Sequence, residues 1–391
     1  KASEKNFSSP QLFFNLGILA RAYGENELAE EQLKRYLETP DSLKDPIKQN
    51  RAKNELEIAQ GKIQIKTHPE ILYVTLTNKC NANCLVCCVE KTPPWEIREE
   101  VLNEIKSLFP YLKRIFWLGG EVFFYKNFKR VFAQAIKYPQ MKQVILTNGL
   151  LLDKEWADLF SQSNLHLVYS IDSIIPEVYE KIRRGSSYKK LLENIQLVKD
   201  AEIRNTEFST GMTFILMKSN YTELPLLADF ALEKGFKTLT INEVRGEFQE
   251  KIDFKKDKEV ASFVKKHLPE LIDKCLKFGI ELNNEMAIGL DTPEEKILPL
   301  EEEKSCEKEK LKGPYCLYPW KSITMDVFGK TIPWFYCSQE LGNTDEKFLK
   351  EIWNGETMQK YRENILKNNS NYLCPQNCVA INKENIFSAL L

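Results

Sequence analysis

With 391 residues, of which 55 are basic and 56 acidic, the chain has a net charge of -1 and offers no electrostatic footprint for nucleic acid or an anionic membrane. At 43% hydrophobic it can bury a large core, yet no apolar run nears the ~18–20 residues that a spanning helix needs. Its ten cysteines fall in two distant groups and no charged-then-apolar export signal opens the chain, so a reducing cytoplasm and metal-holding thiols are expected rather than disulfides.

Residues 10–40 read as a helical hairpin. Phe13, Leu16, Gly17, Ala20, Gly24, Ala29, Leu33 and Tyr36, with Pro40 after them, have the spacing of a tetratricopeptide repeat, and a helix over 43–62 continues it. One such repeat cannot bury its own face. It reads first as a cap packed on the next domain, and second as a surface for a peptide or partner. From residue 70 short apolar strands alternate with amphipathic helices. The strands are expected at Ile71–Thr77, Arg114–Leu118, Gln143–Thr147, Leu165–Ile171, Glu207–Leu216 and Thr238–Val244. Six strand-helix units predict an α/β fold, a partial (β/α)6 barrel of the TIM type, with its chemistry at the C-terminal strand ends. A long helix follows at 256–280, then a Glu-, Lys- and Pro-rich linker at 285–313. The stretch 314–391 is short of regular periodicity and holds four cysteines, which suits a small domain organised by metal. The expected division is therefore a helical segment over 1–66, a barrel over 67–284, the linker, and a C-terminal domain over 314–391. The chain opens on Lys1, so a native start upstream of it is left open.

Directly after the first strand come Cys80, Cys84 and Cys87, spaced Cys-x3-Cys-x2-Cys. Three thiolates from one loop can cap three irons of a cubane and leave the fourth open to a small molecule. The alternative is zinc, with Cys88 as a fourth thiolate, although adjacent cysteines rarely reach one ion together. The histidines His68, His166 and His267 have no neighbouring metal-type residue and give no second metal motif. Gly119-Gly120-Glu121 ends the second strand: two glycines let a backbone approach closely, and the carboxylate can accept from an ammonium, though a plain tight turn reads the same way. Thr147-Asn148-Gly149 ends the third strand and Ser170-Ile171-Asp172 the fourth.

This set resembles the radical S-adenosylmethionine (SAM) superfamily over about residues 70–250. The resemblance implies a [4Fe–4S] cluster on the three cysteines and a SAM molecule chelating the open iron. An electron from the cluster then yields a 5′-deoxyadenosyl radical that takes a hydrogen from substrate. It also implies cofactor contacts from Gly119, Gly120 and Glu121 (methionyl amino group), Asn148, Ser170 and Asp172 (ribose), and Arg183 on the following helix (carboxylate). Val86 departs from the family, which has an aromatic residue before the third cysteine. Asn220 and Glu243 belong at the same mouth, with Glu243 as a substrate ligand or base; a surface carboxylate is the plainer reading.

The C-terminal run Cys316-Leu-Tyr-Pro-Trp320, Gly329, Cys337, Leu341-Gly342-Asn343, Ile352-Trp353-Asn354-Gly355 and Cys374-Pro-Gln-Asn-Cys378 resembles a SPASM domain over 314–380. The resemblance implies one auxiliary [4Fe–4S] cluster on Cys316, Cys337, Cys374 and Cys378, since the central Cys-x2-Cys-x5-Cys run of the two-cluster form is missing. Cys306 is a substitute ligand, structural zinc the alternative, and Cys275 a core thiol. Trp334, Phe335 and Tyr336 lie in a stretch of seven residues between Gly329 and Cys337, longer than the family's; packing is the plainer reading, and covering the cluster or lining the substrate pocket the alternatives. The expected enzyme works in the cytoplasm with an electron donor such as flavodoxin or ferredoxin and modifies a peptide or protein. A dehydrogenase or epimerase of a sugar or aminocyclitol is the alternative, with Cys88 as a hydrogen donor in an epimerisation. A different class is a non-catalytic, metal-stabilised scaffold whose repeat helices bind a partner.

Overall fold

A computed structural model of the chain describes residues 9–284, 286, 312–335, 337–367, 374 and 378. They gather into two compact units. One holds the described residues up to Thr75, Ile97–Phe116 and those after Glu307; the other holds Leu76–Glu96 and those from Trp117 to 306. The fold is α/β, a partial TIM-type barrel with a helical N-terminus and a small C-terminal domain.

In the second unit the strands Lys142–Thr147, Leu165–Ser170, Phe208–Leu216 and Thr238–Glu243 pair in parallel, each with the next. Helices Lys154–Phe160, Tyr188–Arg204 and Leu227–Lys234 connect them. The helix boundaries follow local chemistry. Asp153 accepts from the Trp156 N–H at 2.9 Å to start one helix, and Gly235, at φ 74°, ends another in the left-handed region. Trp117, Phe128, Phe132, Trp156 and Phe160 pack ring against ring behind the sheet. Glu281–Asn284 adds a parallel strand beyond the six expected. Its sequence, Glu-Leu-Asn-Asn, has one apolar residue and gives no period-2 signal.

In the first unit the three long N-terminal helices are Pro10–Tyr23, Asn26–Leu37 and Pro46–Ala59, with a single turn at Pro40–Leu43 between the last two. A Cβ at Gly17 would lie 2.6 Å from Leu33 Cγ, so the first two helices need the glycine to pack. The third helix starts later than expected because Asp45 caps it, accepting from Ile47 N at 2.9 Å. A buried charge network joins this helix to the C-terminal part: Glu55 accepts from Arg21 at 2.6 Å and from Lys321 at 2.5 Å, all nearly without exposure. Strand Ile71–Thr75, two residues shorter than expected, pairs in parallel with Ser322–Met325, which continues into an antiparallel hairpin with Lys330–Ile332. Of the expected linker only Met286, Lys312 and Gly313 are described. Among the described residues no helix is long and apolar enough to cross a membrane.

Candidate functional site

The cysteine loop is tied down before its first thiol. Asn78, fully buried, accepts from Trp95 N at 2.7 Å and donates to the carbonyls of Pro93 at 2.8 Å and Glu90 at 3.0 Å. The sequence reading missed this residue; a polar side chain between an apolar strand and a cysteine was its only signal. Gly120 N donates to Thr77 O at 2.8 Å and Glu121 N to Lys79 O at 2.9 Å. A Cβ on Gly119 would stand 2.7 Å from Thr77 O, and one on Gly120 2.5 Å from Lys79 O. The glycines are thus required by the contact between the second strand's end and the cysteine loop itself.

Cys80, Cys84 and Cys87 are half-buried neighbours. Burial raises the Cys80 and Cys84 thiols; Glu121 and Cys87 push Cys80 further, and Asp172 and the other two sulfurs push Cys84. N–H donors reach these sulfurs: Ala82 N to Cys80 at 3.4 Å, Asn148 Nδ2 to Cys80 at 3.9 Å, and an Arg183 guanidinium nitrogen to Cys84 at 3.9 Å. Thiolate ligands are acceptors, so this donor set fits a cluster. Zinc would need a fourth ligand and a single focus at ~2.3 Å from sulfur. Cys88 is exposed, and its Sγ lies 3.2 Å from the Arg245 carbonyl.

The other strand ends meet around this loop. Glu121 is 1% exposed; its carboxylate accepts from Thr147 Oγ1 at 2.9 Å and from Asn148 N at 2.8 Å. Burial lifts its pKa to about 7 against the pull of those donors. Asn148 donates to Asn81 Oδ1 at 2.8 Å. Ser170 is half-buried in register with Thr213. Asp172 accepts from Ile215 N at 3.1 Å, and the fully buried Asn220 donates to its carbonyl at 2.6 Å. Glu243 closes its strand half-buried, opposite Leu216. Arg183 is not on a helix. That helix ends at Ile182, and Arg183–Arg184 form a short strand antiparallel to Asn83–Cys84. A further buried carboxylate, Glu223, went unread in the sequence. It holds Ser173 Oγ at 2.8 Å and Ile174 N at 2.7 Å, fixing the turn after the fourth strand.

In the first unit Cys316, Cys337, Cys374 and Cys378 form the other thiol group. Burial, then the three other thiols, raises Cys316 well above its ordinary range; burial lifts Cys337 to about 12. The charges of these thiols act on one another, as the ligands of one closed cluster would. Trp334 stacks on Tyr318 with centroids 4.0 Å apart and planes 6° off parallel, and its carbonyl accepts from Cys337 N at 2.8 Å. Cys306 and Tyr336 lie outside the described residues.

Residues 74–231 match the radical SAM superfamily, and residues 316–379 match SPASM, an iron-sulfur cluster-binding domain. The chain is a radical SAM protein with a SPASM domain. Radical SAM domains bind a [4Fe–4S] cluster and SAM, and SPASM domains bind auxiliary iron-sulfur clusters; both donor sets above fit those groups. The SPASM motifs of this radical SAM protein are structural. Trp353 donates to Thr67 O at 2.7 Å, Asn354 to Ile65 O at 2.8 Å, and buried Arg362 to Ile63 O at 2.7 Å, so they strap the segment that leads into the first strand.

Two relatives are each 24% identical to the radical SAM protein. One is the tungsten-containing aldehyde ferredoxin oxidoreductase cofactor-modifying protein of Pyrococcus furiosus, matched over 78% of this chain and 85% of that one. The other is the antilisterial bacteriocin subtilosin biosynthesis protein AlbA of Bacillus subtilis, matched over 73% of this chain and 59% of AlbA. The solved structure of Streptococcus suis SuiB bound to precursor peptide SuiA shares the fold at a TM-score of 0.57 and 16% identity, over 90% of this chain and 83% of that one.

Proposed function

We propose that this radical SAM enzyme modifies a peptide or protein, with Cys80, Cys84 and Cys87 holding the SAM-binding cluster and Cys316, Cys337, Cys374 and Cys378 holding one auxiliary cluster. When bound, the first cluster supplies the electron that splits the sulfonium of SAM into methionine and the 5′-deoxyadenosyl radical, the hydrogen abstractor. The chain's residues do the rest. Glu121, poised at about 7, becomes fully ionised beside an ammonium and so accepts the methionyl amino group. Gly119 and Gly120 bring that carboxylate against the loop. Asn148, Ser170 and Asp172 line the path to the ribose. Val86 packs with Ile182, Met217 and Val244 and keeps water from the loop's flank. Glu243 takes a proton or holds substrate, Cys88 is the thiol available to return a hydrogen, and a flavodoxin or ferredoxin delivers the electron.

A peptide substrate is supported by the likeness to SuiB with its precursor peptide over 90% of the chain, together with AlbA's role in bacteriocin biosynthesis. The Pyrococcus relative, named as cofactor-modifying, makes a small molecule the rival. Deuterium carried from labelled candidate peptides into 5′-deoxyadenosine is the expected result. Label from no peptide, but from a small molecule, would overturn the peptide reading.

A further inference from the structure

We infer that Arg183, fixed by Asp172, is a positioning residue that donates to Cys84 Sγ and raises the reduction potential of the SAM-binding cluster. The inference rests on the assignment of Cys84 as a cluster ligand. An arginine on a helix end would reach outward for a carboxylate. Here the backbone starts the side chain elsewhere. Cys84 and Arg183 are direct partners in a two-residue antiparallel bridge, and Leu85 N donates to Ile182 O at 2.9 Å beside it. The arginine stem therefore starts next to the cysteine whatever the side chain does.

Its head is then held twice. One guanidinium nitrogen lies 2.7 Å from Asp172 Oδ2, with the pair only 9% and 1% exposed. Another donates to Cys84 Sγ at 3.9 Å. Asp172 in turn is braced by Ile215 N at 3.1 Å and, through its carbonyl, by Asn220 at 2.6 Å. One guanidinium nitrogen is thus committed to a carboxylate and another to a sulfur, while the buried Nε has no partner. A cation and an N–H donor on a ligating sulfur favour the state with one more electron, and burial keeps water from screening them. The consequence is a cluster easier to reduce than the three thiolates alone would make it.

Arg183→Met keeps the stem and removes the charge and donors; Arg183→Gln, read the same way, keeps a donor and serves if the first variant folds poorly. Midpoint potentials of the SAM-binding cluster are measured anaerobically by EPR in the full protein, that cluster being the one whose signal changes when SAM is added. SAM affinity is measured in parallel by calorimetry. The expected result is full iron content, a midpoint lower than wild type in both variants, SAM affinity within about threefold, and recovery of most of the midpoint by Arg183→Lys. An unchanged midpoint overturns the inference, and with a tenfold loss of SAM affinity it makes Arg183 a cofactor-carboxylate ligand instead. A wild-type protein whose Cys80 loop carries no iron and sulfide defeats the ligand assignment and the inference together, and the metal content tells that failure from the other.

Discussion

Cys80, Cys84 and Cys87 stand half-buried on a loop held by backbone hydrogen bonds, and a charged arginine reaches one of their sulfurs. Cys316 and Cys378 are 7% and 6% exposed, and tyrosines 315, 318 and 361 surround their group. The first arrangement offers three thiols, one fewer than a cubane has irons. The second offers four and is closed by rings, so only an electron need pass. On the proposed assignment, two clusters of one chemistry have their jobs separated by ligand count and desolvation.

The sharpest way to break that comparison is to remove each set in turn. Cys80, Cys84 and Cys87→Ala together should abolish SAM cleavage and cut iron from about eight per chain to about four, at four irons per cluster. Cys316 and Cys337→Ala should lose the same iron, keep SAM cleavage and abolish modified product. Iron and sulfide quantification with a 5′-deoxyadenosine assay reads both. Cleavage that survives the triple variant, or dies with the double one, would falsify the division of labour.

What the sequence made legible was short in range. Cysteine spacing, Gly119-Gly120-Glu121 and strand-helix alternation are local patterns, and the structure brings those strand ends to one loop. What it hid was pairing between distant residues. Arg183–Arg184 has no periodicity of its own and reads as the continuation of a helix until Asn83–Cys84 is laid beside it. Glu55 looks like one more helix carboxylate, yet its partner Lys321 lies 266 residues away. Glycines 119 and 120 were readable as glycines that matter; the reason, a backbone carbonyl of the loop, was not.

The two units also differ in how they are fastened, and this predicts unequal costs. In the unit with four thiols, Glu55 pairs with Arg21 and Lys321 in full burial, and although burial opposes it, those cations hold the carboxyl at about 2. Glu55→Gln breaks a buried ion pair and should cost about 3–5 kcal/mol at pH 7 by chemical denaturation. The folded-state pKa is depressed, so the ionic contribution is complete above the usual value near 4.5 and disappears as pH falls through about 2. The gap between wild type and variant should therefore narrow below pH 4; a gap that is constant to pH 2 would mean shape, not charge, is what the variant loses.

In the other unit the fastening of the cysteine loop to the end of the second strand is steric. Gly120→Ala places a methyl 2.5 Å from Lys79 O, and the loop must move. The expected cost is about 2 kcal/mol, in the range for overpacking, with weakened iron retention at Cys80, Cys84 and Cys87 alone. Equal loss of iron from the four-thiol group would show that the variant unsettles the whole chain rather than the loop.

The smallest effect tests the electrical side of the comparison. The Tyr315 hydroxyl lies 3.9 Å from Cys374 Sγ. Burial first, and then the thiol's own charge, raises the tyrosine's pKa, so the hydroxyl stays neutral and is the natural donor to a ligating sulfur. A neutral donor is worth roughly half of a charge-assisted one. Tyr315→Phe should therefore lower the auxiliary midpoint by about half of what Arg183→Met takes from the SAM-binding cluster, while SAM cleavage is unaffected. Both midpoints come from the same titration of the same protein, so the ratio is internally controlled. A larger shift at Tyr315 than at Arg183 would mean that the surroundings of the four-thiol group amplify a neutral dipole beyond a buried charge, and the setting of the donor rather than its formal charge would then rank as the stronger control of potential in this protein.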